Sequence, residues 1–334
     1  MLESLELKNF KSFLDQRFEF KPLTILAGIN ASGKSSVVEA IKFLYDDKSK
    51  EPMHFDDEPY ALDDMKSKLT RDEWFSVSAL WNGESLRLKI DLLDENPPQV
   101  GLNQVLERND LQLISASRIG PQEYYKLNPL SKDDYLDKNG QFIFDYILKK
   151  DEKNIKIDEK LKYEDSVSFK DNVSDWLQII SPNSNLKLDI TKDRKQVKPY
   201  YNDIEAVETG FGISYSLPII ATLLDSDIKL LVVDSPEAHL HPKGQSELCK
   251  LIARAVAAGK QVVLETHSDH IIDGVRVAVK QELINCDDVT IYFLERDANE
   301  PSKATKISVD SYGNLSEWPE DFFDQTIKDA GVLL

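Results

Sequence analysis

Gly28-Ile29-Asn30-Ala31-Ser32-Gly33-Lys34-Ser35 fits G-x-x-x-x-G-K-[ST], the loop that cradles the phosphates of a nucleoside triphosphate. Leu23 to Ala27 before it form a short apolar run of strand type. Ser36 to Leu44 after it space their apolar residues as a buried helix does. Glycines let backbone N–H groups turn inward onto phosphate oxygens, and the helix that follows aims its positive end at the same anion. The candidate contacts are therefore Gly28, Asn30, Ala31, Ser32 and Gly33. Lys34 reaches for the β- and γ-phosphates, Ser35 sits on Mg²⁺, and Ser36 packs or caps. The bland alternative is a glycine turn capping an ordinary helix.

The chain has 334 residues, enough for two domains or for one domain with an inserted lobe. Its net charge of −18 argues against a broad nucleic-acid-coating surface, because such binding rests on neutralised phosphates. Nothing approaches the ~18 consecutive apolar residues of a membrane helix, and Met1 to Glu6 do not resemble a secretory leader. Cys249 and Cys286 stand far apart, so a reducing cytoplasm is the expected compartment and no membrane partner is expected.

Upstream of the loop, Leu2, Leu5 and Leu7, then Phe18 and Phe20, then Leu23 to Ala27 predict three strands, with residues 9–13 as the first turn. The acidic stretch 46–64 reads as a surface connection. Trp74–Trp81 and Leu86–Leu92 predict an antiparallel pair, and Leu111–Ala116 a further strand. Arg118, before a Gly-Pro turn, is either a phosphate or interface contact or a solvated surface arginine. Residues 127–205 are richer in Lys, Asp and Glu, with helices expected at 141–148 and 169–180. Lys187, Lys192, Arg194, Lys195 and Lys198 lie in an alternating stretch that reads as a hairpin, either solvated or touching a polyanion.

In the second half, Ile228–Asp234 and Gln261–His267 are strand-like runs separated by a helical stretch, Lys243–Ala258. This is the pattern of a parallel βαβ unit, whose ligand lies at the strands' carboxyl ends. Asp234 is the natural carboxylate to share Mg²⁺ with Ser35. His267, at the tip of the next strand, can contact the γ-phosphate or orient the attacking water. His239-Leu240-His241 leaves zinc binding open, although no cysteine joins them, and His239 and His270 also fit capping or core roles.

The phosphate loop, Asp234-Ser235-Pro236-Glu237-Ala238-His239-Leu240-His241-Pro242 and Glu265-Thr266-His267-Ser268 resemble the ABC-type ATPases of the RecF, SMC and OLD clade. Gly210-Phe211-Gly212-Ile213-Ser214 occupies the place of the ABC signature. The tail, Trp318-Pro319-Glu320-Asp321-Phe322-Phe323-Asp324, is similar to a subgroup with a short C-terminal extension of unknown function. The resemblance implies an α/β P-loop NTPase, an ABC-ATPase head with a mixed sheet and an inserted helical and hairpin lobe. Its parts would be 1–126 with the phosphate loop, 127–205 as the lobe, and 206–334 with signature, Asp234, His267 and tail.

It further implies a head-to-tail homodimer sandwiching two ATP molecules, with Gly210, Gly212 and Ser214 of one copy facing the phosphate loop of the other. A helix starting near Ile213 would aim its N-terminus at the γ-phosphate; a flexible turn before a core helix is the alternative. The chain departs from the pattern in one respect. Ser235 stands where the family commonly places the glutamate that activates water, and serine is no base at neutral pH. Either Glu237, His267 or a more distant group performs that step, or hydrolysis is slow and the protein is an ATP-dependent clamp. Beyond His267, Asp297 and Glu300 are acidic, yet no carboxylate set completes a nuclease site. The expectation is an ATPase that works with a separate effector, a nuclease or toxin in antiviral defence, with direct DNA contact as the weaker reading.

Overall fold

The computed structural model describes residues 1–45, 62–94, 110–127, 136–163, 166–191 and 195–333. In chain order the elements are β1 (Leu2–Phe10), β2 (Phe13–Glu19), β3 (Leu23–Gly28), α1 (Lys34–Tyr45), α2 (Leu62–Met65), β4 (Trp74–Trp81), β5 (Glu84–Asp91), β6 (Leu111–Ile114) and β7 (Tyr125–Lys126). They continue with α3 (Ile143–Glu152), α4 (Phe169–Ile180), β8 (Leu186–Thr191), β9 (Gln196–Tyr201), β10 (Ile204–Glu205), α5 (Phe211–Leu224), β11 (Leu230–Asp234) and α6 (Pro242–Ala257). The last are β12 (Gln261–Thr266), α7 (Asp269–Lys280), β13 (Val289–Glu295), β14 (Lys303–Ile307) and α8 (Gln325–Leu333). Two compact units result. The first comprises Met1–Arg108, Val263–Asp269 and Cys286–Leu334; the second comprises Asn109–Val262 and His270–Asn285.

In the first unit, an antiparallel sheet runs β2-β1-β4-β5. Alternation along β1 buries Leu5 and Leu7 on one face. Phe43 of α1 meets Phe10 at 6.4 Å and Phe75 of β4 at 5.9 Å, which fastens the helix after the phosphate loop to this sheet. A second, mixed layer has β3 parallel to β13, and β13 antiparallel to β14. The last residues of β12 lie on the other side of β3. With strands on both flanks, Leu23 to Ala27 are fully buried, which is why that run shows no polar alternation. The tail closes on the same layer. Phe322 is completely buried, with its ring 5.3 Å from Phe293 of β13 and 5.2 Å from Trp318.

In the second unit, β6 and β11 pair in parallel, and β8 and β9 form the expected antiparallel hairpin. Helices α3 and α4 pack against α5, and α4 packs also against α6. Ser168 Oγ caps α4 by accepting from Asp171 N at 3.1 Å, and Pro242 opens α6. The two helices of the compositionally distinct stretch pack within this unit, α3 and α4 against α5 and α4 against α6. Deep in the same unit, Lys260 Nζ donates to the carbonyls of Thr222, Asp225 and Ile228 at 2.9, 2.6 and 2.8 Å. Burial pushes its ammonium down to about 7, opposed in part by the Asp225 carboxylate.

Three local expectations are corrected. β1 continues through Phe10, so the turn is confined to Lys11-Ser12. The helix expected at 141–148 runs Ile143–Glu152, and α5 begins at Phe211 with Gly210 as its N-cap rather than near Ile213. Lys192 and Arg194 of the basic hairpin, and most of the acidic stretch, lie outside the described residues. Lys187 pairs with Asp203 at 2.6 Å and Lys198 with Glu205 at 2.6 Å, so both cations face carboxylates of their own unit. No helix among the described residues is long and apolar enough to cross a membrane.

Candidate active site

The phosphate loop joins β3 to α1 in the first unit, and its glycines are there for space. A Cβ on Gly28, at φ +146°, would stand 2.1 Å from the Leu294 carbonyl oxygen; one on Gly33, at φ +106°, would stand 2.8 Å from the hydroxyls of Ser12 and Ser302. Ala31 also takes a left-handed conformation, φ +61°. Lys34 opens α1, is 3% exposed, and donates from Nζ to the carbonyls of Gly28 at 2.9 Å and Ile29 at 2.7 Å. The loop thus curls around its own ammonium, which is held where a phosphate oxygen would meet it. Ser32 Oγ is buried with no hydrogen-bond partner among the described residues, a polar atom turned into the cradle.

The cavity over this loop measures about 440 Å³ and is lined by Asn30 to Ser36 together with Glu265 and His267. Its walls carry five cationic side chains, Lys11, Lys34, Lys66, Lys68 and Arg296, against the carboxylates of Asp64 and Glu265. The chain is strongly acidic as a whole, yet this cavity gathers cations, of which Lys11 is paired with Glu39 and Lys66 with Glu73. Burial pushes the Lys11 ammonium below its ordinary value, opposed by Asp64 and reinforced by Lys42. Ser35 Oγ donates to Glu265 Oε1 at 3.0 Å. His267 lines the same cavity as the phosphate loop. Glu265, Arg296 and the lysines of residues 66–68 were not read from the sequence. The signal for Glu265 was a carboxylate in the strand-like run Gln261–His267; Arg296 had none.

The second unit gathers the other expected residues. Asp234 ends β11, and Ser235, at φ +50°, donates from Oγ to Asp234 Oδ1 at 2.8 Å. Arg118 is not the solvated surface arginine that the sequence left open: it is 3% exposed and donates from Nη2 to the Ser235 carbonyl. Its guanidinium lies 5.1 Å from the Tyr215 ring. Burial lowers it to about 10, with Asp234, Tyr215 and Glu237 opposing the shift, so it is a cation at neutral pH. Arg118 thereby fixes the backbone directly after Asp234. His239 packs against Phe211 at 5.2 Å and Tyr215 at 4.7 Å, while His241 Nδ1 caps α6 by accepting from Lys243 N. Both histidines of the zinc alternative thus have structural work. Among the described residues no cluster of three or more His, Cys, Asp or Glu side chains is arranged to hold a metal ion.

Gly210 and Gly212 differ physically. Nothing lies within 4 Å of a Cβ placed on Gly210, whereas one on Gly212 would stand 2.6 Å from the His239 carbonyl oxygen. Gly212→Ala is expected to cost ~1–3 kcal/mol by pushing α5 off the loop after Asp234, and Gly210→Ala under ~1 kcal/mol. Urea titration of the two variants checks this; equal stabilities would contradict it. Gly210→Ala, not a bulky change at Gly212, is consequently the clean probe of any role for this turn in binding.

A protein-family profile described as "AAA domain, putative AbiEii toxin, Type IV TA system" matches residues 23–273, and a second, "Protein of unknown function (DUF3696)", matches residues 284–333. The chain is 23% identical over 331 residues to an ATP/GTP phosphatase of Helicobacter pylori, covering 82% of this chain and 87% of that protein. It is 28% identical over 174 residues to the DNA replication and repair protein RecF of Streptococcus pneumoniae, covering 48% of this chain and 46% of RecF. Among solved structures, the Smc head domain with an extended coiled coil, bound to the C-terminal domain of ScpA and derived from Pyrococcus furiosus, superposes with a TM-score of 0.58 over 99% of both chains. At 13% identity that likeness speaks for the fold. The chain belongs to the AAA domain family, an ATPase family, and is similar to RecF in sequence and to Smc head domains in fold.

Proposed function

We propose that the chain binds Mg-ATP on the phosphate loop, pairs head to tail with a second copy around the nucleotide, hydrolyses it, and through that cycle gates a separate effector protein in the cytoplasm. The observation that carries this reading is the cradle itself: Lys34 buried against its own loop carbonyls beneath a cationic cavity. Backbone N–H groups of residues 30–36 and the N-terminus of α1 would hold the phosphates, with Lys34 at the β- and γ-oxygens. By motif, Ser35 and Asp234 would be the metal ligands, and Mg²⁺ would supply neutralisation of the charge developing on the transferred phosphoryl. His267 would face the γ-phosphate, Glu237 is the candidate base, and Gly210, Gly212 and Ser214 would close the site from the second copy. The family's description as a toxin of a type IV TA system supports a toxin as effector; a nuclease and a defence role rest on the resemblance alone. The pairing of Lys187 and Lys198 with carboxylates weakens the reading as a DNA-binding repair ATPase.

Purified chain given Mg-ATP should release phosphate and shift from monomer to dimer in sedimentation. Without nucleotide binding the reading falls. One observation favours a second reading: Ser235 replaces the usual glutamate and its hydroxyl is tied to Asp234. If ATP drives dimerisation with no phosphate release, the protein is an ATP-locked scaffold instead.

A further inference from the structure

Glu265 stands 230 positions from Ser35 in sequence, yet its Oε1 accepts the Ser35 hydroxyl at 3.0 Å. It is 3% exposed and precedes only Thr266 at the end of β12, a strand whose every residue is buried and in which it is the one ionisable side chain. A carboxylate withdrawn from water at such a place is costly to keep and contributes nothing to apolar packing. Its partner explains it. A serine hydroxyl has one proton and two lone pairs. If an oxygen lone pair of Ser35 is to face a cation, the proton must be directed elsewhere, and the acceptor that takes it sets the rotamer. A carboxylate in that place also makes the oxygen a better donor to the metal. Asp234 Oδ1, in contrast, receives the hydroxyl of its own neighbour Ser235.

We propose that Glu265 is the positioning residue for Ser35, holding the hydroxyl so that its lone pair is presented to the divalent cation of the bound nucleotide. This rests on the assignment of Ser35 as a metal ligand. It assigns a carboxylate outside the Asp234 motif to the metal side of the site, and it gives Glu265 no part in activating water.

The test is Mn²⁺ affinity, read by electron paramagnetic resonance in the presence of a non-hydrolysable ATP analogue, alongside analogue binding in EDTA. Glu265→Ala should weaken Mn²⁺ by ~10–100-fold without weakening metal-free analogue binding, since the carboxylate it removes carries the same sign of charge as the triphosphate. Glu265→Gln, which keeps an acceptor and the volume, should recover part of the loss. In a Ser35→Ala background neither substitution should weaken Mn²⁺ further. Unchanged Mn²⁺ affinity in Glu265→Ala, or losses that simply add to that of Ser35→Ala, would overturn the inference. Should Glu265→Ala not fold, the cycle between Glu265→Gln and Ser35→Ala decides in the same way. A wild-type chain that binds no analogue would instead refute the nucleotide reading itself.

Discussion

Lys34→Ala lowers Mg-ATP hydrolysis at least ~100-fold, equivalent to about 2.7 kcal/mol of transition-state stabilisation, and weakens binding of the triphosphate far more than that of the nucleoside. The reasoning is electrostatic and local. Of the cations around the cavity, Lys34 is the one the loop itself encloses, at 3% exposure and with two carbonyl acceptors within 3 Å. A buried ammonium in reduced dielectric acts on a phosphate oxygen much more strongly than a solvated one. Alanine at the start of α1 suits the helix, so the thermal midpoint should stay within a few degrees. Fluorescence titration with a labelled ATP, phosphate release and a melting curve on the same preparation separate the two effects. Undiminished turnover would refute the assignment of the site, and a collapsed melting curve would show that Lys34 serves the fold instead.

If the missing base limits the rate, Ser235→Glu raises phosphate release by about 100-fold, the lower end of what a positioned base contributes. Serine at 235 already occupies a left-handed backbone conformation, so glutamate meets a strain that is present in the native chain. The exchange removes the hydroxyl that engages Asp234 Oδ1 and places a carboxylate next to that aspartate. Arg118, donating to the carbonyl of the same residue, keeps the backbone in place and offsets part of the added charge. Pre-steady-state phosphate release with and without the substitution is the measurement. An unchanged rate would mean that Glu237 or His267 already performs the proton transfer, and the search for a base would move to those side chains.

The phosphate loop was legible because its chemistry forces residue types at fixed spacing, and the strand and helix around it announced themselves through a fully apolar run and a helical period. The Trp74–Trp81 pairing was legible for a different reason: Asn82-Gly83 lies at the point where the alternation reverses, and the two strands pair from Trp81↔Glu84 outward. Arg118 and Glu265 were not legible in role. A charged residue in a sequence carries no record of what lies across from it, and both draw their meaning from partners more than a hundred positions away. The start of α5 was misplaced by two residues because Gly210 and Phe211 do not look like a cap, and the tight approach of Gly212 to the His239 carbonyl is invisible until the loop after Asp234 is folded. Composition marks out residues 127–205, and what it does not show is that their helices pack on α5 and α6.

The C-terminal aromatic residues have a consequence for heredity. Phe322 presses on Phe293, and the strand bearing Phe293 places Leu294 opposite Gly28, with its carbonyl in the space where a side chain at 28 would stand. The tail and the nucleotide loop are therefore one mechanical piece, although two separate family profiles describe them. Loss of the tail would uncover Phe293 on the strand that backs Gly28. Recombination that trades this tail between relatives would have to bring β13 with it.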